Sequence, residues 1–429
     1  MGQSESGARA EELSADRKAL AIVALLAAWF VAVGLLVDTP AHILHGLVAI
    51  IGSRDTLVTD YIGVGGMGAA FVNAGLLTLV CCFIYHRSGA RVNGPAVACL
   101  FLVLGFALFG KNLLNVWCGV FGVWLYSRFS GEPFAKNINA AFFGAALAPV
   151  FSEIVFSTAL PLAVSVPLGI ATSTLIGFIL VPVAARLFQA HQGYSLYNIG
   201  FTAGMVGAVV VALYRSYGFV SRPVFIWSTG NNGLLSAFLF ASFAALAAGG
   251  VWLDRAGWRR QWMMLMREAG QAPADFIGGF GLGATLVNMA VAGSIATVYV
   301  LAVGGDLNGP VLGAILSVAG FAAAGKHPRN ILPVMAGVFL GSLAKPWNAH
   351  DPSMVLAALF GTNLAPIAGR FGWRWGIVAG FIHSSVVQTV GDLHAGLVLY
   401  NNGFGAGLVA SVLTPVIVAL RRVKEPPAS

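Results

Sequence analysis

The stretch DYIGVGGMGAAFVNAG, residues 60–75, is matched by DFIGGFGLGATLVNMA, residues 275–290, at a constant offset of 215 residues. The register holds through residues 60–115, where 19 of 56 ungapped positions are identical. A further block, residues 140–149, matches residues 357–366 after a shift of two residues. An internal duplication therefore accounts for nearly the whole chain.

The composition indicates the environment of this duplication. Of the 429 residues, 58% are hydrophobic, only 9% are charged and 54 are glycine. Apolar runs such as residues 19–37 and 233–253 approach the ~20 residues that a helix needs to cross ~30 Å of hydrocarbon. We therefore predict an all-α polytopic membrane protein with about 14 hydrophobic segments and with neither a metal nor another cofactor.

The basic residues indicate topology and do not point to a nucleic-acid partner. The net charge is +8, and 19 of the 24 Lys and Arg residues fall on the cytoplasmic side when the N-terminus is placed there. Such an excess is what the positive-inside rule requires. We predict a multi-pass protein of the bacterial inner membrane with both termini cytoplasmic.

The parity of the apolar segments predicts how the two copies are oriented. Each half holds about seven segments, and an odd number makes the second copy enter the membrane from the opposite side. We predict two inverted repeats, residues 19–222 and 223–420, between cytoplasmic tails at 1–18 and 421–429. The amphipathic stretch at about 256–270 is predicted to be an interfacial helix that links the halves.

Each half contains a pair of short apolar runs, within residues 95–127 and 310–344. Runs of ~15 residues reach only ~22 Å at 1.5 Å per residue, less than the hydrocarbon thickness. They are either tilted spanning helices with Lys111 and Lys326 as surface anchors, or re-entrant hairpins that place these lysines near the midplane. Because a buried cation costs several kcal/mol unless it is paired, the hairpin arrangement implies either a partner within the protein or an anionic substrate.

Other polar residues also recur in both halves. We predict that the solute is bound by the lysines together with four asparagines, and these are Asn73, Asn288, Asn115 and Asn330. An amide inside a long segment has a structural alternative, because it can bond a neighbouring helix. Asp60 and Asp275 open helices, where a carboxylate caps free N–H groups or binds a coupling ion.

Glu153 is the one acid well inside a predicted span, and the second half has no acid at the matching position. An ionisable group within the membrane is by default a functional hypothesis, here proton coupling. The alternative is an interfacial glutamate after a helix that breaks at Pro149.

The phrase HxGxxLYNxGFxAG occurs at residues 191–204 and 394–407, with nine of fourteen positions identical. Its glycines and asparagine favour an unwound turn before the last helix of each half, whose free N–H groups suit an anionic ligand. An interfacial turn with tyrosine in the aromatic belt is the alternative. The polar residues that we predict to support the site are Tyr197, Asn198, Tyr400 and Asn401.

The segments YNIG (197–200) and YNNG (400–403) resemble the Gly-Tyr/Phe-Asn-Gly motif that urea transporters carry in each inverted half. This resemblance implies a narrow pore for a small neutral amide. Through GKNLLNVW (110–117) and LYNxGFxAG, the chain is also similar to bacterial polytopic proteins of unknown function.

We predict a transporter that moves a small polar, anionic solute by alternating access between two inverted repeats. The alternative is a passive, urea-transporter-like channel for a small neutral solute. An intramembrane enzyme or a scaffold is less favoured, since no HExxH or nucleophile motif is present. The predicted partners are the solute, the lipid bilayer and either sodium or a proton as coupling ion, and a homo-oligomer is left open.

Overall fold

The structure is a computed structural model that describes residues 2–158, 160–221 and 223–422. Within these residues the fold is all-α, apart from one parallel pair of two-residue strands, Val58–Thr59 (β1) and Phe225–Ile226 (β2). The predicted all-α class is therefore confirmed. The predicted C-terminal tail lies almost entirely outside the described residues.

The first half contains nine helices and one short 3-10 turn, Ala145–Leu147, between α6 and α7. The helices are α1 Gly2–Val37, α2 Pro40–Ile51, α3 Tyr61–Ser88, α4 Gly94–Phe106, α5 Trp117–Phe129, α6 Phe134–Gly144, α7 Ala148–Ser157, α8 Leu162–His191 and α9 Asn198–Ser216.

The second half has the same number of helices, with 3-10 turns at Thr362–Leu364 and Gly391–His394. The helices are α10 Asn232–Leu253, α11 Trp258–Leu265, α12 Phe276–Ala302, α13 Gly309–Phe321, α14 Pro328–Ala344, α15 Pro352–Gly361, α16 Ala365–Phe371, α17 Trp373–Val390 and α18 Asn401–Arg422.

Nine helices of the described chain are long and apolar enough to cross a membrane, by length and composition. They are α1, α3, α6 with α7, α8, α9, α10, α12, α15 with α16, and α18. This makes the chain a polytopic membrane protein, although with nine such helices where the sequence predicted about 14 segments. The other predicted segments are helical but shorter or less apolar, and α4, α5 and α13 have only 13 residues each.

The short helices begin as their sequence predicts. Asn93 accepts a hydrogen bond from the backbone of Ala96 at 3.2 Å, and Asn308 does the same with Val311. In both copies Gly-Pro follows, which suits the first helical turn because proline has no N–H to satisfy there.

Helices α4 and α5 both contact α6. Tyr85, near the end of α3, donates to the side chain of Asn139 in α6, and Asn139 also receives a hydrogen bond from Cys99 of α4 at its backbone oxygen. Asn137 of α6 bonds Ser127 near the end of α5. The middle of α4 and the end of α5 therefore lie beside the same turn of α6, and the re-entrant course of this pair in the membrane stays a prediction.

Contacts between the halves give the directions of equivalent helices. Asp60, at the start of α3, bonds the backbone of Gly309, just after α12 has ended. Asp275, at the start of α12, bonds the backbone of Gly94, just after α3 has ended. Helices α3 and α12 therefore run in opposite directions. We call the side where α3 begins the first face and the side where α12 begins the second face.

Candidate functional site

The end of α4 is held by an asparagine of α3. Asn73 donates both amide hydrogens, to the carbonyl oxygens of Ala107 (2.7 Å) and Lys111 (3.0 Å), and its Oδ1 accepts from the backbone of Leu113. The last carbonyls of a helix have no partner within it. The amide supplies that partner and keeps the turn after α4 inside the protein.

The second copy repeats this arrangement. Asn288 donates to Ala322 and Lys326 carbonyl oxygens, both at 2.8 Å, and accepts from the indole of Trp262. Both amides were predicted as solute ligands. In the structure both side chains use their donors and their acceptor on other groups of the protein. This is the structural alternative to solute binding, in which the amide bonds a neighbouring segment.

Replacing Asn288 with leucine is expected to destabilise the protein, because two buried carbonyls would lose their donors at about 1–3 kcal/mol each. The melting temperature of the purified variant should fall by several degrees. The exposed Asn348 supplies the control, since Asn348→Leu should leave the melting temperature unchanged. A ligand role without a structural one predicts the opposite, an unchanged melting temperature with weaker solute binding.

Asn115 closes the turn that presents Lys111. Its Oδ1 accepts from the backbone of Asn112 at 2.9 Å, and its Nδ2 donates to the carbonyl of Gly110 at 3.0 Å. Gly110 has φ +91°, in the left-handed region that favours glycine. The corresponding residues of the second copy, joined by the same bonds, are Asn330, His327 and Gly325.

Lys111 lies at the tip of this turn and is 0% exposed. Its Nζ donates to the hydroxyl of Tyr400 at 2.9 Å and to the carbonyl of Phe142 at 3.2 Å. The ammonium also lies 5.1 Å from the centroid of the Tyr400 ring and 5.4 Å from that of Phe106. At these distances the ring faces attract the cation.

Lys326 is also 0% exposed and has fewer partners. Its Nζ donates to the hydroxyl of Tyr197 at 2.7 Å and lies 4.6 Å from the centroid of that ring and 5.3 Å from that of Phe321. The Tyr197 hydroxyl shares a further hydrogen bond with Ser317. Ser317 was not predicted from the sequence. The feature that could have identified it is a hydroxyl residue at a position where the first copy has the apolar Leu102.

The two lysines exchange partners between the halves. Lys111, of the first half, bonds the tyrosine of the second, and Lys326 bonds the tyrosine of the first. In the part of the chain that the structure describes, no carboxylate lies within ion-pair distance of either ammonium. The sequence predicted these four residues separately, and the structure brings them together.

The asparagine of the repeated phrase has a different task from its tyrosine neighbour. Asn198 bonds the ring of His191 at 2.9 Å and donates to the carbonyl of Ala184 at 3.1 Å. It therefore ties the start of α9 to the preceding helix. The residues that repeat this arrangement at the start of α18 are Asn401, His394 and Val387.

The two repeated aspartates are helix caps that also join the halves. Asp60 accepts from the backbone of Ile62 at 3.0 Å, and Asp275 accepts from that of Ile277 at 3.1 Å. Each also accepts from the first residue of a short helix in the other copy, Gly309 at 3.1 Å and Gly94 at 2.9 Å. Of the two roles predicted for them, the geometry shows capping.

Glu153 is buried, but it is not the isolated acid that the sequence indicated. Arg54 donates to both of its carboxylate oxygens, at 2.9 and 3.3 Å, and Ser157 and Ser221 donate to it at 2.8 Å. A carboxylate with a guanidinium fork and two hydroxyl donors is fully satisfied. This arrangement corrects the premise on which proton coupling was predicted.

Asp55 is a buried acid that sequence reasoning missed. It lies in the loop between α2 and α3, is 0% exposed, and accepts from Tyr61 and Ser152 hydroxyls at 2.7 Å and from Asn115 at 2.9 Å. Beside Arg54 in a loop it resembles an ordinary solvated acid. Its burial follows only from the packing of α3, α7 and the Lys111 turn around it.

A central cavity of about 90 Å³ lies between the two halves. Its volume suits a few water molecules or a solute of similar size. It is lined by Leu102, Phe143, Leu196, Tyr197, Asn198, Ile199, Gly200, Phe321 and Tyr400. Both tyrosines that bond the lysines therefore face it.

A larger, polar vestibule of about 390 Å³ opens beside the loop that precedes α3, on the first face. Its lining includes Arg215, Ser353, Gln388 and the amides Asn401 and Asn402 at the start of α18. Asn401 follows Tyr400 in the chain, and the Tyr400 hydroxyl accepts a hydrogen bond from Lys111. The vestibule therefore extends to the residue next to this tyrosine.

Comparison with known proteins gives one match. A family model described as "Protein of unknown function (DUF1576)" matches residues 39–216 and 257–419, more than half of the chain. No curated protein and no solved structure matches. The resemblance to urea transporters stays a prediction from the Tyr-Asn-Gly motif.

Proposed function

The chain belongs to the DUF1576 family of proteins of unknown function, whose description names no activity, and from the geometry of the site we propose that the protein transports a small anionic solute across the membrane. The two tyrosines that line the central cavity, together with the lysines that bond them, would hold the solute. Asn73, Asn288, Asn115 and Asn330 would position the lysines rather than contact the solute.

The observation that carries this proposal is a surplus of hydrogen-bond donors around two uncompensated buried cations. An ammonium group has three donors, and Lys326 uses one of them on a protein acceptor. The hydroxyl of Tyr400 accepts from Lys111 and has no acceptor for its own hydrogen among the described residues. Removing an ammonium from water costs several kcal/mol. An anion in the cavity offsets that cost and fills the free donors.

The two halves form an inverted repeat in this proposal, residues 19–222 and 223–420. The antiparallel courses of α3 and α12 support it, as do equivalent contacts at the same offset, such as Asn73 with Ala107 and Asn288 with Ala322. An axis relating the halves would pass near the central cavity. Inverted repeats commonly place the substrate at their interface, beside broken helices.

Differences between the two faces support alternating access. On the second face the backbone of Ala272 donates to Gly193 at 3.0 Å, and the side chain of Gln271 donates to the carbonyl of Gln192 at 2.7 Å. The equivalent residues on the first face are Leu57 and Gly396. No hydrogen bond joins them within the described chain, and both line the vestibule. The protein would thus be closed on the second face and open on the first.

The orientation follows from charge in this proposal. The excess of Lys and Arg places both termini in the cytoplasm, so the second face is cytoplasmic and the vestibule opens outward. The membrane would be the bacterial inner membrane.

A thermal-shift screen of the purified protein tests the function. Nitrate, formate, methanesulfonate and inorganic phosphate are anions small enough to compare with the cavity, and urea is the neutral control. A ligand that binds only the folded state raises the melting temperature by mass action. Stabilisation by one or more anions and not by urea supports the proposal. Stabilisation by urea alone would contradict it and favour the passive channel.

Alternating access predicts that solute changes the accessibility of the vestibule. Ser353→Cys, in a Cys118→Ala background, should react with an impermeant maleimide added to the first face, because Ser353 lines the vestibule. The reaction should slow when a bound anion shifts the population toward closure of that face. Ser216→Cys, exposed on the same face outside the vestibule, should react equally with and without the anion. A rate at Ser353→Cys that no solute changes would contradict alternating access.

A further inference from the structure

Asp55 is a buried acid that has no role in the proposed binding of the anion. Its carboxylate accepts hydrogen bonds from four different parts of the fold: the end of α2, the start of α3, the Lys111 turn and α7. The donors are Ser53 (3.1 Å), Tyr61 (2.7 Å), Asn112 (3.3 Å), Asn115 (2.9 Å) and Ser152 (2.7 Å). Five donors and complete burial make this a built site for a charged carboxylate.

Within the described part of the chain no cation completes this site. Among the residues that the structure describes, no Lys, Arg or His forms an ion pair with Asp55. Its chain neighbour Arg54 is directed to Glu153 of α7, and the Lys111 ammonium is directed to Tyr400. Tyr61 is the titratable group that bonds Asp55 directly. The other charged or titratable groups on the described elements packed around Asp55 are Asp60, which caps α3, His42 and His45 of α2, and Cys81, Cys82, Tyr85, His86 and Arg87 further along α3. A buried carboxylate without a counterion takes up a proton more easily than one that is paired with a cation.

The second copy cannot carry an equivalent acid. At the offset of 215 residues, Asp55 corresponds to Gly270. A Cβ atom on Gly270 would lie 1.9 Å from the carbonyl oxygen of Gly325 and 2.9 Å from Asn330 Nδ2. There is no space for any side chain at that place. The two copies of the turn are alike in their lysine and asparagine, so this acid is a feature of the first copy alone.

Asp55 is connected to Lys111 through the turn itself. Asn115 bonds Asp55 with one amide hydrogen and the Gly110 carbonyl with the other, and Asn112 donates to Asp55 from the position next to Lys111. A protonated carboxyl group has one donor and fewer acceptor sites than a carboxylate. Protonation therefore leaves fewer acceptor sites for the five donors, two of which, Asn112 and Asn115, belong to the turn whose lysine contacts the cavity-lining Tyr400.

The proton affinity of this carboxyl group suits a reversible step near neutral pH. Burial raises the pKa of Asp55 to about 7, against the opposing effect of its hydrogen bonds from Ser152, Tyr61, Ser53 and Asn115. Asp55 also lies two residues before Leu57, which lines the vestibule. Asp55 is therefore close in the chain to the first face, although it does not itself line the vestibule.

We propose that Asp55 is the proton-binding group of the transporter, and that its protonation releases the Lys111 turn so that proton and anion movements are coupled. The proposal rests on the proposed transport function. The proton comes from solution at the first face, forms an O–H bond on the carboxylate and returns to solution when the carboxyl group ionises. No other bond is made or broken.

The experiment uses the full-length protein in liposomes that contain the pH indicator pyranine. A gradient of nitrate, methanesulfonate or inorganic phosphate is imposed, and internal pH and anion content are followed together. Wild type should move protons with the anion. Asp55→Asn, which is nearly isosteric, should still exchange anion across the membrane but should lose the anion-driven pH change. Glu153→Gln, the neighbouring acid paired with Arg54, should keep that pH change.

A second measurement reports on Asp55 without transport. Its folded-state pKa is raised, so the folded protein holds a proton that the unfolded chain has released between about pH 4 and 7. Stability from this group is therefore lost as pH rises through that window. The fall in wild-type melting temperature over this range should be smaller in Asp55→Asn, which also shows whether the variant folds.

Two outcomes separate the two proposals. If wild type moves none of these anions, the transport function fails and the role of Asp55 fails with it. If wild type moves anions and protons together and Asp55→Asn does so equally well, the role of Asp55 alone is wrong.

Discussion

Replacing Lys326 with methionine is expected to abolish anion binding and transport. Methionine keeps an apolar stem of similar length but removes the ammonium that we assign to the solute. Loss of one partner from a buried charge pair costs about 2–5 kcal/mol, which corresponds to a loss of affinity of about 30- to 5,000-fold. The thermal shift produced by the anion in wild type should therefore disappear in Lys326→Met.

The same substitution should not destabilise the free protein. Lys326 has no carboxylate partner within the described chain, and removal of an uncompensated buried charge relieves a desolvation cost. The melting temperature without anion should stay equal or rise. A lysine that only supported the fold would show the reverse, a lower melting temperature with binding unchanged.

Lys345 provides a matched control. Its Nζ donates to a hydroxyl, that of Ser384 at 2.6 Å, and to the carbonyl of Phe381 at 2.7 Å, and it lies 4.1 Å from the centroid of the Phe381 ring. It therefore has the same kinds of contact as Lys326 but lies at the end of α14, away from the central cavity. Lys345→Met should leave anion binding unchanged, and equal losses in both variants would refute a specific role for Lys326.

Replacing Gly94 with alanine is expected to remove most of the stability of the protein. The added Cβ would lie 2.0 Å from the carbonyl oxygen of Ala323 in the other half. Neither side can move easily, because Gly94 donates its N–H to Asp275 and the Ala323 carbonyl accepts from Phe276 at 3.0 Å. Overpacking costs about 1–3 kcal/mol, and each buried bond that breaks adds about 1–3 kcal/mol.

The measurement is the yield of folded protein and its melting temperature. Gly249→Ala is the matched control, because a Cβ on this glycine of α10 would meet no atom within 4 Å. That variant should be neutral or more stable by about 0.5–1 kcal/mol, since alanine is the better helix former. A Gly94→Ala protein as stable as wild type would contradict the close contact between the halves at this point.

How far the site could be predicted from sequence depended on the range of each interaction. The repeated GK turn identified both lysines, and the turn chemistry of Asn115 and Gly110 is local, so the same residues recur in both copies. The tyrosine and asparagine of the repeated phrase were also found. The sequence could not distinguish the roles of the two residues. Tyr197 and Asn198 are adjacent in the chain, whereas their partners, Lys326 and Ala184, are far from each other in it.

Two acids show where prediction from the sequence failed. Glu153 was read as unpaired because its partner Arg54 lies 99 residues away. Asp55 was not among the predicted residues, because its burial requires α3, α7 and the Lys111 turn to pack around it. In both cases the decisive distance is between chain-distant groups, which a single sequence does not record.

The sequence by itself determined the membrane class, the duplication and the chemistry at each broken helix, because hydrophobic length, repeat register and helix termination depend on residues close together in the chain. Only the tertiary structure decided that each lysine bonds the tyrosine of the opposite copy and that Asp55 is enclosed. The reason is physical. Helices α3 and α12 run in opposite directions, so the contacts between the copies join groups that are far apart in the chain. The burial that sets the charge requirements of a site exists only after that packing has excluded water.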